Sequence, residues 1–380
     1  MYVEDPASTP GVHALVIGVG GYRHLPGGTG PQIPDPTQFY GLGQLTSAPV
    51  SAVAVAEWLR TTADPDLWTV PLASVDLLVS PHPDVTDAVP ATTEPTIANI
   101  VEAYARWRQR ASTHPDNVAL FYFCGHGLQF DTQRLLLASD FRANEFSPLT
   151  GAFEFESTRN ASTQGLPRTQ CFFVDSCAGT APYLMSHRVV VQGLETAAVN
   201  TVGGGASSTV TVLASAPGIT AEGRRNEVSY FTRALLAAFS GRAASRNVYQ
   251  DWAVHTTDLG PAIDTLVRDF RGDDNQPTRQ DDMRGKAELW RLAGAPPVEF
   301  TVACAPTDAH RTAELTYQRL EDADVHRLGS SPSDGAPWTV RSAAGSHRLE
   351  ATFGRKEYPD TLRLVEVLPP GSPIRLRVLP

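Results

Sequence analysis

The sequence is short of lysine, of cysteine and of long apolar runs, and each shortage excludes something. Lys286 and Lys356 are the only lysines, so basic charge is almost all arginine, and 31 basic against 41 acidic residues leave a net charge of −10. A nucleic-acid surface needs clustered basic residues to neutralise phosphates, so partners are expected to be proteins, peptides or small molecules. No run of about 18 apolar residues, the length that crosses a bilayer, occurs anywhere. The N-terminal MYVEDPASTP lacks the positive and apolar segments of a secretion signal. A cytoplasmic chain without a membrane partner is expected. Four cysteines in 380 residues do not make a disulfide framework. None pairs with another at metal-ligand spacing beside histidine, so free thiols and no zinc are expected.

What the chain does contain is a series of short, β-rich apolar runs: 13–19 (HALVIGV), 74–80 (SVDLLVS), 117–124 (NVALFYFC), 170–175 (QCFFVD) and 209–215 (TVTVLAS). Runs of this length bounded by turn residues read as strands buried on both faces. Helical stretches lie between them. The clearest is 96–110, where Ile97, Ile100, Val101 and Tyr104 mark one face while Arg106, Arg108 and Gln109 are read as facing water. Alternating strands and helices imply an α/β domain with a mostly parallel sheet. Amphipathic helices at 229–239 and 259–270 and a strand within 286–293 would complete it near residue 294. Beyond GAPP (294–297) the texture changes to VEFTV, WTVRS, HRLEATF, TLRLVEV and IRLRVL, alternating with turns, which predicts a small all-β sandwich over 295–380. The segments 26–49, 81–95 and 180–208 read as long loops, which in a compact domain are functional or disordered.

Two buried strands end in reactive residues. NVALFYFC runs into Gly125-His126-Gly127, and QCFFVD into Ser176-Cys177-Ala178-Gly179. The carboxyl ends of strands are where open α/β sheets bind ligands. If the two strands are neighbours, His126 and Cys177 face one crevice. A thiol is mostly protonated at neutral pH, so a nucleophilic cysteine needs an imidazole to take its proton and return one to the leaving amine. The flanking glycines would allow close backbone approach, and the N–H groups of Gly127 and Cys177 are assigned to the oxyanion hole. Cys124 and Cys171, inside strands, read as packed thiols, and Cys304 belongs to the β module. VIGVGGYRH fails to complete a dinucleotide-binding glycine pattern. Asp269, Asp273, Asp274, Asp281 and Asp282 lack regular calcium-ligand spacing and read as a solvated acidic face. No cofactor is therefore expected.

From HALVIGVGGY through YFCGHG and FFVDSCAG to TVLASAPGITAEG and YFTRALL, roughly residues 12–293, the sequence resembles the caspase and metacaspase peptidases. Their dyad sits on one strand leading to His-Gly and a later one leading to Cys-x-Gly, about 50 positions apart. The resemblance implies a caspase-like three-layer fold with a mostly parallel central sheet. It also implies a cysteine endopeptidase working through a thioester acyl-enzyme. Where animal caspases carry Gln-Ala before the nucleophile, this chain has Asp175-Ser176, which looks like the metacaspase and paracaspase pattern. In those relatives the Asp lines the primary pocket and pairs with a basic side chain, implying cleavage after Arg, with Lys second. Glu222 falls where the family's later strand and loop supply a second pocket carboxylate. In the family the stretch after the nucleophile is often cut during activation, which makes Arg188 a candidate self-processing site. Bacterial relatives often serve defence or regulated-death pathways under an upstream activator. The rival reading is a catalytically silent scaffold that keeps the fold and recruits a protein partner.

Overall fold

The five apolar runs become the parallel strands of a seven-stranded sheet because such runs are suited to burial on both faces. The computed structural model describes residues 2–3, 9–32, 41–62, 65–82, 84–85, 90–130, 133–179, 190–196, 204–216, 223–332, 335–354 and 358–378. The elements of the first unit begin with β1 (Tyr2–Val3), β2 (Val12–Val19), α1 (Ser47–Glu57), β3 (Leu72–Ser80), α2 (Ile97–Ala111) and β4 (Val118–Cys124). A three-stranded antiparallel sheet follows: β5 (Gly127–Phe130), β6 (Gln133–Leu137) and β7 (Ala152–Glu154). Then come α3 (Phe155–Thr163), β8 (Thr169–Asp175), β9 (Ser208–Leu213) and α4 (Tyr230–Ala237). In the large sheet β3, β2, β4, β8 and β9 run parallel in that order. β1 flanks them antiparallel at one edge, and β12 (Arg279–Arg284) at the other.

The parallel part of this sheet is built from β2, which is joined by β3 on one side and then by β4, β8 and β9 on the other. In such sheets ligands bind outside the carboxyl ends of the strands, near where the winding reverses. β2, β4 and β9 are buried at every position. Helices α1 and α2 pack on the sheet, and α2 buries one stripe of its surface. On α2, capped at its start by the Thr96 side chain, the stripe is Ile100, Ala103, Tyr104, Trp107 and Ala111. These pack with Phe121, Phe155 and Phe172 in one core.

Two expectations for α2 are corrected. Val101 is 47% exposed. Arg108 does not face water: it is buried, with Nε donating to Glu195 at 3.0 Å, Nη2 to the Ser162 carbonyl at 2.9 Å, and Nη1 to the Leu166 carbonyl. A buried carboxylate and two carbonyls replace the water that a guanidinium otherwise requires.

Contacts divide the chain into Met1–Leu236 with His255–Trp290, and Ala237–Val254 with Arg291–Pro380. Beside the boundary expected at residue 294, the segment Ala237–Val254 thus groups with the C-terminal unit. That unit contains a pair, β10 (Ala244–Arg246) and β11 (Trp252–His255), whose last residue belongs to the first unit. The helix α5 (Thr256–Arg271) and most of β13 (Glu288–Arg291) return to the first unit. The second unit continues with β14 (Pro297–Ala305), a short α6 (Thr307–Thr312), β15 (Ala313–Arg319), β16 (His326–Ser330), β17 (Trp338–Ala343), β18 (Gly345–Phe353), β19 (Thr361–Val367) and β20 (Ile374–Arg377). They form two sheets, β17-β14-β20 and β16-β15-β18-β19. Alternate residues of β14 and β18 are buried, and the rings of Phe300 and His347 meet 5.7 Å apart between the sheets.

Candidate active site

β4 and β8 are hydrogen-bonded neighbours with Cys124 opposite Asp175, so the segments that leave them emerge side by side. They stay tied beyond the sheet: Gly125 N–H donates to the Asp175 carbonyl at 3.2 Å and Gln129 N–H to the Gly179 carbonyl at 2.9 Å. Gly127 is needed for this approach. A Cβ there would lie 2.6 Å from the Cys177 carbonyl oxygen and 2.7 Å from Ser176 Oγ. His126 and Cys177 therefore share the carboxyl end of two adjacent parallel strands.

His126 is buried and oriented from three directions. Its backbone N–H donates to the Tyr22 hydroxyl at 2.7 Å, the Tyr22 ring lies 4.8 Å from the imidazole, and Nε2 is 2.9 Å from the Gly43 carbonyl. A carbonyl can only accept, so Nε2 carries the proton and the neutral ring keeps its lone pair on Nδ1. Burial pushes the imidazole down to about 4 against the ordinary 6.5, with the Gly43 carbonyl opposing. At neutral pH it is thus an unprotonated base.

The Gly43 carbonyl is placed by Gln44. The Gln44 amide accepts from Tyr22 N–H at 2.7 Å and donates to the carbonyls of Tyr22 and Pro26 at 3.0 Å each, while Leu45 N–H donates to the Gly20 carbonyl. The loop after β2 and the segment before α1 are thereby stapled together over His126.

None of the four cysteines is in a disulfide, and Cys177 is the one that is not buried. Burial raises the Cys171 thiol to about 12 and the Cys304 thiol to about 11, and raises Cys124 well above its ordinary value. Those three are protonated, packed thiols. Asp175 is buried. Its Oδ2 accepts from the Ser229 hydroxyl and, at 2.7 Å, from Thr232 Oγ1, which also meets the Tyr122 hydroxyl at 2.6 Å. Burial pushes the carboxyl up, and the two hydroxyls act against that rise. No cation pairs with it among the described residues. Glu222 and Arg188 lie outside the described residues.

Tyr22, Gly43, Gln44, Ser229 and Thr232 were not singled out from the sequence. The motifs VIGVGGY and SYFTRALL contain Tyr22, Ser229 and Thr232, but only the fold brings them to His126 and Asp175. The aspartates between 269 and 282 are largely taken by arginines: Asp273 by Arg271, Asp281 by Arg279 and Asp282 by Arg284. Among the described residues no group of His, Cys, Asp or Glu could hold a metal ion.

A glycine-flanked imidazole and a partly exposed thiol follow the carboxyl ends of neighbouring parallel strands, a placement that suits a candidate active site. The model of the caspase domain matches residues 36–259, more than half of the sequence. The chain belongs to the caspase-domain family. It is 28% identical over 211 residues to an uncharacterized protein of Sinorhizobium fredii, covering 50% of this chain and 59% of that protein. It is 32% identical over 146 residues to a probable protease of a Desulfuromonadales bacterium, covering 35% of this chain and 16% of that protein. The chain thus spans less than two thirds of the length of either relative.

Proposed function

We propose that the chain is a cysteine endopeptidase that cleaves protein substrates after a basic residue, Arg in preference to Lys. The observation that carries this reading is the orientation of His126. With Nε2 donating to the Gly43 carbonyl, Nδ1 is the nitrogen left to take the Cys177 proton, and the pairing of β4 with β8, whose ends lead to His126 and Cys177, supports that assignment. The thiolate attacks the scissile carbonyl, the oxyanion forms against the N–H groups of Gly127 and Cys177, and the protonated His126 returns its proton to the leaving amine. The thioester left on Cys177 is hydrolysed by water activated in the same way. A silent scaffold would not require an accessible cysteine, a neutral oriented histidine and glycines at the closest approach.

Basic specificity is supported by Asp175, a buried carboxylate two residues before the thiol with no cation on it among the described residues. An arriving guanidinium would hold it ionised through charge-assisted bonds. Glu222 would add a second carboxylate, and the Asp-Ser-Cys sequence is of the metacaspase type. Such an enzyme could cut itself after Arg188. Intact mass of the wild type after prolonged incubation, beside Cys177→Ala, tests that step; identical masses would dismiss it. For the function, a fluorogenic peptidyl-Arg amide and its Asp counterpart are incubated with wild type, Cys177→Ala and His126→Ala. Turnover of the Arg amide by wild type alone is expected. Turnover of the Asp amide, or undiminished turnover by Cys177→Ala, would overturn the reading.

A further inference from the structure

Arg134 is fully buried in β6, although its sequence neighbours are those of an ordinary hairpin. A buried guanidinium is costly unless its donors are used. Its Nη2 donates to the Ser215 carbonyl at 2.9 Å, and Nη1 to the Ser176 carbonyl at 3.4 Å. The Ser215 hydroxyl donates to that same Ser176 carbonyl at 3.0 Å. The backbone N–H of Arg134 donates to Glu156 Oε2 at 2.6 Å, but its guanidinium meets no carboxylate at ion-pair distance among the described residues. Burial lowers the guanidinium to about 10, and Cys177 is among the groups that favour its charged form.

The Ser176 carbonyl belongs to the same peptide unit as the Cys177 N–H. In a planar trans peptide the C=O and N–H point in opposite directions, so fixing one fixes the other. Donors on the oxygen also draw charge through the amide and strengthen its N–H as a donor. We infer that Arg134 and Ser215 are positioning residues that clamp the Ser176–Cys177 peptide from behind and thereby aim and strengthen the Cys177 N–H towards the oxyanion. The inference rests on the peptidase reading and concerns the same site. Neither side chain touches substrate; both act through the peptide.

Losing an oxyanion donor outright costs on the order of 10²–10³ in kcat, so loosening one should cost less. Ser215→Ala is expected to lower kcat roughly tenfold, and Arg134→Lys somewhat more, with KM little changed in both. A peptidyl argininal adds to Cys177 as a hemithioacetal, forming an S–C bond and placing the former carbonyl oxygen where the oxyanion forms. Its affinity should fall by the same factor as kcat. Alkylation of Cys177 by iodoacetamide, which passes through no oxyanion, should proceed in Ser215→Ala at the wild-type rate. Wild-type kcat and argininal affinity in both variants, or an equal slowing of alkylation in Ser215→Ala, would overturn the inference while leaving the peptidase reading intact. A wild type that neither cleaves peptides nor binds the argininal would overturn the peptidase reading itself, and the clamp with it.

Discussion

Acidification should protonate His126 only at the expense of the fold. In the unfolded chain the imidazole has its ordinary value of 6.5, whereas burial holds it at about 4 in the folded protein. A depressed histidine contributes stability that is intact above pH 6.5 and lost as pH falls from 6.5 towards 4, because the unfolded state takes up the proton first. Between pH 7.5 and 5.0 linkage puts this loss at about 2 kcal/mol. His126→Gln isolates it, since glutamine can still donate to the Gly43 carbonyl but does not titrate. His13, likewise lowered to about 4 by burial and by Arg110, is present in both proteins and cancels. Urea unfolding of the two at each pH should show the wild type losing about 2 kcal/mol more than the variant. The imidazole carbon resonances should titrate near 4 and report the Nε2–H tautomer at neutral pH. Parallel pH dependences, or a His126 titration near 6.5, would refute the burial argument and the assignment of Nδ1 as the base.

Other consequences follow from single contacts. Tyr22→Phe removes the acceptor of the His126 N–H and should cost about 1–3 kcal/mol in a urea titration, with a fall in kcat. Gly127→Ala should lower kcat/KM by roughly 10² or more, because its Cβ would lie 2.6 Å from the Cys177 carbonyl oxygen and push the two strand ends apart. Asp175→Asn should reduce kcat/KM for an Arg amide roughly 10- to 100-fold while sparing an amide with an uncharged residue at that position. Arg108→Met strands Glu195 as a buried charge and should destabilise the first unit by about 3–5 kcal/mol, read as a lowered Tm.

Where sequence reading succeeded and failed has physical reasons. The central strands were legible because parallel strands buried on both faces are near-continuous apolar runs, and Val12–Val19, Leu72–Ser80 and Val118–Cys124 match the expected segments within two residues. That His126 and Cys177 lie at the ends of neighbouring strands was legible for the same reason, since each follows such a run by two positions. Arg108 was misread because helical periodicity assigns an arginine to water, and only the fold brings Glu195 to it from 87 positions away. The helix Ser47–Glu57 was not anticipated: the loop expected over 26–49 overlaps its first three residues, and SAPVSAVAVAE is mostly small and apolar, with no polar face to give a period. Gly43, Arg134 and Ser215 act through backbone carbonyls. No side-chain pattern announces a carbonyl's partner, so they become visible only when the fold brings Gly43 to His126, and Arg134 and Ser215 to Ser176.

Covalent capture tests the central claim most directly. The protein is treated with a peptidyl-Arg chloromethyl ketone, which must seat a basic side chain before it alkylates a nucleophile, and the modified residue is mapped by mass spectrometry. The account predicts one adduct, on Cys177, strongly slowed in His126→Ala and in Asp175→Asn. Labelling of Cys124, Cys171 or Cys304 instead, or equal labelling of Cys177 with His126 removed, would contradict it.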